Sequence, residues 1–241
     1  MLARRCAELN IGCAGPSRSE LDIADGPGLA EWIARFRPDA LINAAAYTNV
    51  EAAEDCEAEA TRINAEALRI IGTVCREKSV PVIHISTDFV YDGKKREEYL
   101  ETDEAIPLNA YGRSKLAGDR LLSESAEKYI IVRLSWLFAR GGRNFVGAVL
   151  KRMMSGMPLS VVDDQIGGPT YAGDAVSCIL AICRRIVADS GFSSWGVYNY
   201  AGKPDVSRYE FAKIIADAAF EAGILGAAPA VAPVPSSGFP S

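Results

Sequence analysis

Two hydrophobic periods alternate along this chain. Short, nearly unbroken apolar runs, at Ala40–Ala45, Val80–Ser86 and Tyr129–Trp136, are separated by longer stretches in which apolar residues recur every three or four positions. The runs have strand length, and continuous apolarity marks strands buried on both faces. The longer stretches read as helices: Gly28–Phe36, stopped by Pro38, and a single helical stretch over Glu51–Lys78 with Ile63, Ala67, Ile70, Ile71 and Val74 on one face. Further helices are expected over Leu108–Glu124, Asn144–Met154, Tyr171–Ala188 and Ser207–Ala222. Short strands are expected at Ile11–Ala14, Leu159–Val162 and Val197–Tyr200. The opening residues, Met1 to Leu9, read as a helix, and the Ala/Pro/Gly/Ser-rich tail, Gly226–Ser241, as loop or disorder. Regular alternation of strand and helix predicts an α/β fold, a parallel sheet with helices on both faces.

Composition narrows the classes. The chain has 241 residues, 49% hydrophobic and 24% charged, which suits a globular protein with a substantial core. No apolar run approaches the roughly 20 residues of a membrane span, so no membrane partner is expected. A net charge of −5 without a basic stripe argues against nucleic acid. Six cysteines without a C-x-x-C pair, and one histidine, make no zinc site. Reduced thiols and a cytoplasmic location follow as expectations. The acidic run Glu51–Glu59 reads as a solvated helix face, so no metal ligands are assigned.

The candidate chemistry centres on Tyr111 and Lys115, in Tyr111-Gly-Arg-Ser-Lys115. At i and i+4 of a helix the phenol and the ammonium share a face. A nearby cation favours phenolate and makes the tyrosine usable in proton transfer, which an unperturbed phenol with a pKa of about 10 does poorly. Upstream, Ile85-Ser86-Thr87-Asp88 ends an apolar run and presents a hydroxyl at a strand end. That combination points to an alcohol/ketone redox site. His84, inside the apolar run, reads as a hydrogen-bonded core histidine. Asp22 reads equally as the N-cap of the helix before Gly28. The small residues Ala44, Ala45 and Ala46, with Thr48, either let a ligand approach bare backbone or simply pack densely. Trp136 reads either as a ligand contact or as a core aromatic, and Val50 in the same two ways. Nicotinamide enzymes usually begin with a strand, a glycine-rich turn and a helix, because the pyrophosphate sits on bare backbone at a helix N-terminus. No such turn opens this chain, so it reads as truncated at its N-terminus, with the central strand and phosphate loop missing.

These stretches resemble the extended short-chain dehydrogenase/reductase superfamily, and within it the dTDP-4-dehydrorhamnose reductase family. The resemblance is carried in order by Arg37-Pro-Asp-Ala-Leu-Ile-Asn-Ala-Ala-Ala-Tyr-Thr-Asn-Val-Glu-Ala-Ala-Glu, His84-Ile-Ser-Thr-Asp-Phe-Val-Tyr-Asp-Gly, Glu101-Thr-Asp-Glu, Pro107-Leu-Asn-Ala-Tyr-Gly-Arg-Ser-Lys-Leu-Ala-Gly, Arg133-Leu-Ser-Trp-Leu-Phe, Asp163-Asp-Gln-Ile-Gly-Gly-Pro-Thr and Tyr198-Asn-Tyr-Ala-Gly. It implies a Rossmann-like doubly wound sheet lacking its first strand, with a small C-terminal substrate lobe. The implied division is a NAD(P)-binding domain over 1–140, a mixed region over 141–225, and a flexible tail over 226–241, itself cut short. Tyr111 is implied as catalytic acid, Lys115 as its partner on the nicotinamide ribose, and Thr87 as the hydroxyl that polarises the substrate carbonyl. Asp22, Ile23, Ala44, Ala45, Ala46 and Thr48 are implied to join Tyr111 and Lys115 around NADPH or NADH. Thr87, Asp88, Val50 and Trp136 are implied to face a dTDP-sugar, while from the residues alone Thr87 reads also as a strand-end cap of the next turn and Asp88 equally as the start of the loop. Arg18 would favour a 2′-phosphate, and Gln165–Thr170 would be a loop closing over substrate. The implied reaction is reduction of a 4-keto sugar in dTDP-rhamnose and surface-polysaccharide synthesis. A non-catalytic binding relative, an inactive fragment and another nucleotide-sugar epimerase or reductase remain as alternatives. Family members are often dimers, and magnesium has been associated with some, so a homodimer and Mg2+ are implied without a position for either.

Overall fold

The structure is a computed structural model and describes residues 1–142, 144–226 and 230–238. In chain order the helices are α1 (Leu2–Glu8), α2 (Gly26–Phe36), α3 (Val50–Asp55), α4 (Glu57–Thr61), α5 (Ala67–Glu77), α6 (Ala110–Ser125), α7 (Phe145–Met154), α8 (Ala172–Ala188) and α9 (Arg208–Glu221). The strands are β1 (Leu41–Asn43), β2 (Val82–Thr87), β3 (Tyr129–Leu134), β4 (Leu137–Phe138), β5 (Leu159–Val162), β6 (Ile166–Gly167), β7 (Thr170–Tyr171), β8 (Gly196–Tyr200), β9 (Val206–Ser207) and β10 (Val231–Val234).

The chain divides into two compact units. Unit 1 comprises Met1–Leu134 and Val176–Tyr200, and unit 2 comprises Ser135–Ala175 and Ala201–Ser241. The first therefore ends sooner than the expected 140 and is rejoined by most of α8 and by β8.

Unit 1 is built on a parallel sheet of order β1-β2-β3-β8. Its strands are the expected apolar runs, trimmed at their ends. On one side Leu29 and Ile33 of α2, Leu68, Ile71 and Val74 of α5, and Leu122 of α6 close over Val82 and Ile131. Short polar side chains start the helices. Asp25 caps α2 through Gly28 N–H at 3.2 Å, so Asp25, and not Asp22, is the cap. Asn109 caps α6 through Gly112 N–H at 2.8 Å.

Three expectations change in unit 1. Residues 11–14 form no strand: Ile11 N–H bonds back to Cys6 O at 2.8 Å, so this backbone finishes α1. The single helical stretch over 51–78 is broken after Asp55 and passes through a π-helical turn at Arg62–Glu66. The strand expected to reach Trp136 ends at Leu134, because Trp136 has a left-handed φ of 39°.

Unit 2 packs α7 and α9 with β5 around Val149, Met153, Val161, Phe211, Ile215 and Ala219. Ser207 starts α9 with a capping box, accepting from Glu210 N–H at 3.0 Å while its own N–H reaches the Glu210 carboxylate at 2.7 Å. The tail corrects the reading of 226–241 as loop: Val231–Val234 pairs in parallel with Leu159–Val162. Pro233 is tolerated because β10 is an edge strand with one neighbour. Residues 227–229 and 239–241 of that tail lie outside the described residues. Gln165–Thr170 is likewise more than a loop. Ile166–Gly167 pairs with Val206–Ser207, and Thr170 opens a short pairing with Leu137–Phe138.

Candidate active site

Ala44–Thr48, Thr87, Asp88, Tyr111 and Lys115 lie after β1, at the carboxyl end of β2 and in the first turns of α6, at the end of a parallel sheet where ligands of such folds bind. Thr87 is the last residue of β2 and is buried. Its hydroxyl donates to Asp88 Oδ1 at 3.2 Å and accepts from Phe89 N–H at 3.2 Å, starting a 3₁₀ turn over Asp88–Val90. α6 begins directly beneath that turn. A Cβ on Gly112 would stand 2.2 Å from the Phe89 carbonyl oxygen, so only glycine lets the helix approach this closely. The neighbouring residue, Tyr111, is thereby set edge-on to Phe89, with ring centroids 5.7 Å apart, and within hydrogen-bond reach of Thr87.

Burial pushes the Tyr111 phenol up to about 12, the Thr87 hydrogen bond pulls the other way, and the carboxylates of Asp88 and Asp119 add to the rise. The expected lowering by Lys115 is absent from this balance. Lys115 is fully buried and turns its ammonium inward, donating to the Ile85 carbonyl at 2.8 Å and meeting His84 Nε2 at 2.9 Å. Burial lowers it to about 8, against the favourable pull of Asp119. The i,i+4 spacing puts both side chains on one face, and the tertiary environment decides where the amine goes.

The loop after β1 is tied by two asparagines. Asn43 Oδ1 accepts from Ala45 N–H at 3.1 Å and its Nδ2 meets His84 Nδ1 at 3.1 Å. Asn64, in the π-helical turn, bonds both backbone groups of Tyr47, at 2.8 and 3.0 Å, and also Ser114 Oγ at 3.0 Å. A Cβ on Gly118 would stand 1.8 Å from the Asn64 carbonyl oxygen, so glycine again permits the approach. Sequence reasoning gave Asn64 no role. Its polar amide within a helical apolar face was the available signal.

Other candidates are placed as follows. Ala44, Ala45 and Thr48 are exposed on the loop after β1, Ala46 is half-buried, and Val50 is half-buried at the first turn of α3. Asp22 is exposed and accepts from Arg62 at 3.1 Å and from Ala24 N–H at 3.0 Å, the backbone bond being the main reason its carboxyl is held below the usual range. Ile23 packs at the margin of the unit 1 core. Arg18 is paired with Glu59 at 3.4 Å. The acidic run is engaged by cations, Glu57 with Arg113 at 3.1 Å and Glu59 with Arg62 at 2.9 Å. Among the described residues no three metal-ligating side chains converge, and no helix is long and apolar enough to cross a membrane. Trp136 belongs to unit 2, where Arg208 stacks its guanidinium 3.6 Å from the ring centroid. Gly167 lies against that indole so closely that a Cβ would stand 2.5 Å from Cε2.

A parallel sheet whose strand end offers Thr87 beside a helix bearing Tyr111 and Lys115 places the chain among the extended short-chain dehydrogenases and reductases. The family model described as the RmlD substrate binding domain matches residues 1–241, and the chain belongs to that family. It is 39% identical over 223 residues to the dTDP-4-dehydrorhamnose reductase of Aggregatibacter actinomycetemcomitans, spanning 92% of this chain and 76% of the relative. To the enzyme of the same name in Escherichia coli it is 36% identical over 220 residues, 91% of this chain and 73% of the relative. The crystal structure of dTDP-4-dehydrorhamnose reductase from Bacillus anthracis, in complex with NADP, superposes with a TM-score of 0.87 at 31% identity, covering 100% of this chain and 82% of that one.

Proposed function

We propose that this chain is a dTDP-4-dehydrorhamnose reductase, which reduces the 4-keto group of dTDP-4-dehydro-L-rhamnose to give dTDP-L-rhamnose with NADPH or NADH. The observation that carries the reading is the joint placement of Thr87 and Tyr111 by Gly112, with Lys115 one helical turn on. Thr87 donates a hydrogen bond to the substrate carbonyl and polarises it. Tyr111 gives its proton to the C4 oxygen as that oxygen gains charge, and a phenol held protonated by burial is suited to be the donor. The nicotinamide supplies the hydride when bound. Its ribose is assigned to Lys115 and Tyr111, and its nearest protein backbone to Ala44–Ala46 and Thr48, where small residues, all but Ala46 exposed, fit a closely approaching ligand. Asp22 and Ile23 are assigned to the adenine side, and Asp88 and Val50 to the dTDP-sugar.

The test is turnover of dTDP-4-dehydro-L-rhamnose by the purified chain with NADPH, followed by loss of nicotinamide absorbance. Tyr111→Phe is expected to lower kcat by roughly 10²–10⁴-fold while leaving the melting transition cooperative. Binding of the dTDP-sugar without any NADPH consumption by the unaltered chain would sink the reductase reading in favour of a binding relative.

A further inference from the structure

Behind Tyr111 runs a buried chain of polar groups, from Asn43 at the end of β1, through His84 in β2, to Lys115 on α6. His84 is fully buried, with Nε2 2.9 Å from Lys115 Nζ and Nδ1 3.1 Å from Asn43 Nδ2. Asn43 Oδ1 is already engaged by Ala45 N–H at 3.1 Å, which fixes the orientation of the amide and points its NH2 group at the ring. That NH2 group offers Nδ1 a donor, and the Asn43 backbone carbonyl, which also hydrogen-bonds the ring, offers a ring N–H an acceptor. A neutral imidazole that accepts at Nδ1 carries its proton on Nε2, the nitrogen that faces the lysine. An ammonium has three donors and no acceptor, so it cannot receive that hydrogen bond, whereas a neutral amine can while still donating to the Ile85 carbonyl. When Lys115 is charged, the ring must accept at Nε2 and carry its proton on Nδ1, on the side where the Asn43 backbone hydrogen-bonds the ring. Each protonation state of the lysine therefore calls for a different tautomer of the histidine.

We propose that His84, oriented by Asn43, is the positioning residue of Lys115: it fixes where the ε-amino group sits and couples the proton on that amine to the tautomer of the ring. The inference rests on the reading of Lys115 as part of the reductase site. The groups that face this chain are Lys115 and, one turn further on α6, Asp119. Arg133 of β3 is paired with Asp119 at 3.0 Å, and Tyr111 stands at the start of α6. Burial, and then the Lys115 charge, hold His84 well below the ordinary imidazole range, against the pull of a hydrogen bond to the Asn43 backbone. The ring stays neutral across the working pH range, so its tautomer responds and its charge does not.

The chain contains one histidine, so nitrogen-15 labelling of histidine yields the spectrum of this ring alone. The expected result is a neutral imidazole whose proton moves from Nδ1 to Nε2 as pH rises through about 8, where Lys115 titrates. In Lys115→Met the ring is expected to hold one tautomer at every pH. Ring nitrogens that ignore both pH and the Lys115 substitution overturn the proposal. This readout needs no turnover, so it stands apart from the reductase reading, whose failure would show as unconsumed NADPH with the tautomer coupling intact. In the full chain, His84→Phe is expected to lower kcat about tenfold, to leave KM for the dTDP-sugar little changed and to displace the limb of the pH profile that belongs to Lys115. His84→Gln, which keeps a hydrogen-bonding end, is expected to recover most of the rate. A folded His84→Phe with unaltered kcat and pH profile also overturns the proposal, and if that variant does not fold, the spectrum of the unaltered chain decides.

Discussion

In unit 1, His84, Lys115, Asp119 and Arg133 are all buried, on two neighbouring strands and one helix. In unit 2 the buried polar residues among those described are Ser135, Thr170 and Ser207, none of them ionisable. Its interior is otherwise aliphatic and aromatic, with Phe138, Phe145 and Phe211 at centroid separations of 5.5 and 5.6 Å. Burial of these apolar side chains stabilises unit 2. Buried charge does not add to that on balance, since desolvation offsets most of the Coulomb gain even in a well-formed pair. The charged interior of unit 1 is therefore better explained by what it does for the face above it. It holds Lys115 from behind and leaves Tyr111 and Thr87 together at the strand end.

That contrast can be broken at Arg133. Arg133→Met leaves Asp119 buried without its guanidinium partner and should cost about 3–5 kcal/mol in urea unfolding, with Asp119→Leu on the same chain restoring much of the loss. If the single substitution costs less than about 1 kcal/mol, the pair is not the desolvated ion pair described. A somewhat smaller effect should appear in the pH dependence of stability. Lys115 falls from 10.5 to about 8 on folding, so between these values the unfolded chain holds a proton that the folded chain has released. Stability must then rise with pH through that window. The cost of burying the cation is fully present below about 8 and gone above the unfolded value. Relative to Lys115→Met, the unaltered chain should gain roughly 3 kcal/mol across the window, and a flat difference would contradict the buried-cation assignment. The smallest effect belongs to unit 2. Ile215→Val should cost about 0.5–1.5 kcal/mol and leave the pH profile of turnover untouched. A changed pH profile there would show that the apolar unit also tunes the proton chemistry.

Much of unit 1 was legible before its structure. Strand runs at Val80–Ser86 and Tyr129–Trp136 and the helix carrying Tyr111 and Lys115 stand close to where periodicity put them, because strands buried on both faces and amphipathic helices leave strong local patterns. Thr87 was legible as a strand-end hydroxyl for the same reason. The misses share a cause. Ile11–Ala14 has strand-like residues, but its backbone is used by α1, and Val231–Val234 has loop-like residues, but it finds β5. In the first case a partner five residues back, Cys6, competes for the backbone, and in the second the partner lies about 70 residues away, outside any local window. Trp136 ends its strand through a left-handed φ that no side-chain pattern announces.

Local patterning was enough for the alternation of strand and helix, the parallel sheet, and the residue types from which a keto-sugar reductase site can be made. Their spacing was enough to put Tyr111 and Lys115 on one helical face. Long-range packing is what lets α6 close at Gly112 and Gly118 onto the Phe89 and Asn64 carbonyls, turns Lys115 toward His84 and Ile85, and keeps Tyr111 protonated by burial. The reason is physical: periodicity reports which face of an element is buried, whereas proton affinity and close approach depend on which groups from distant parts of the chain are buried with it.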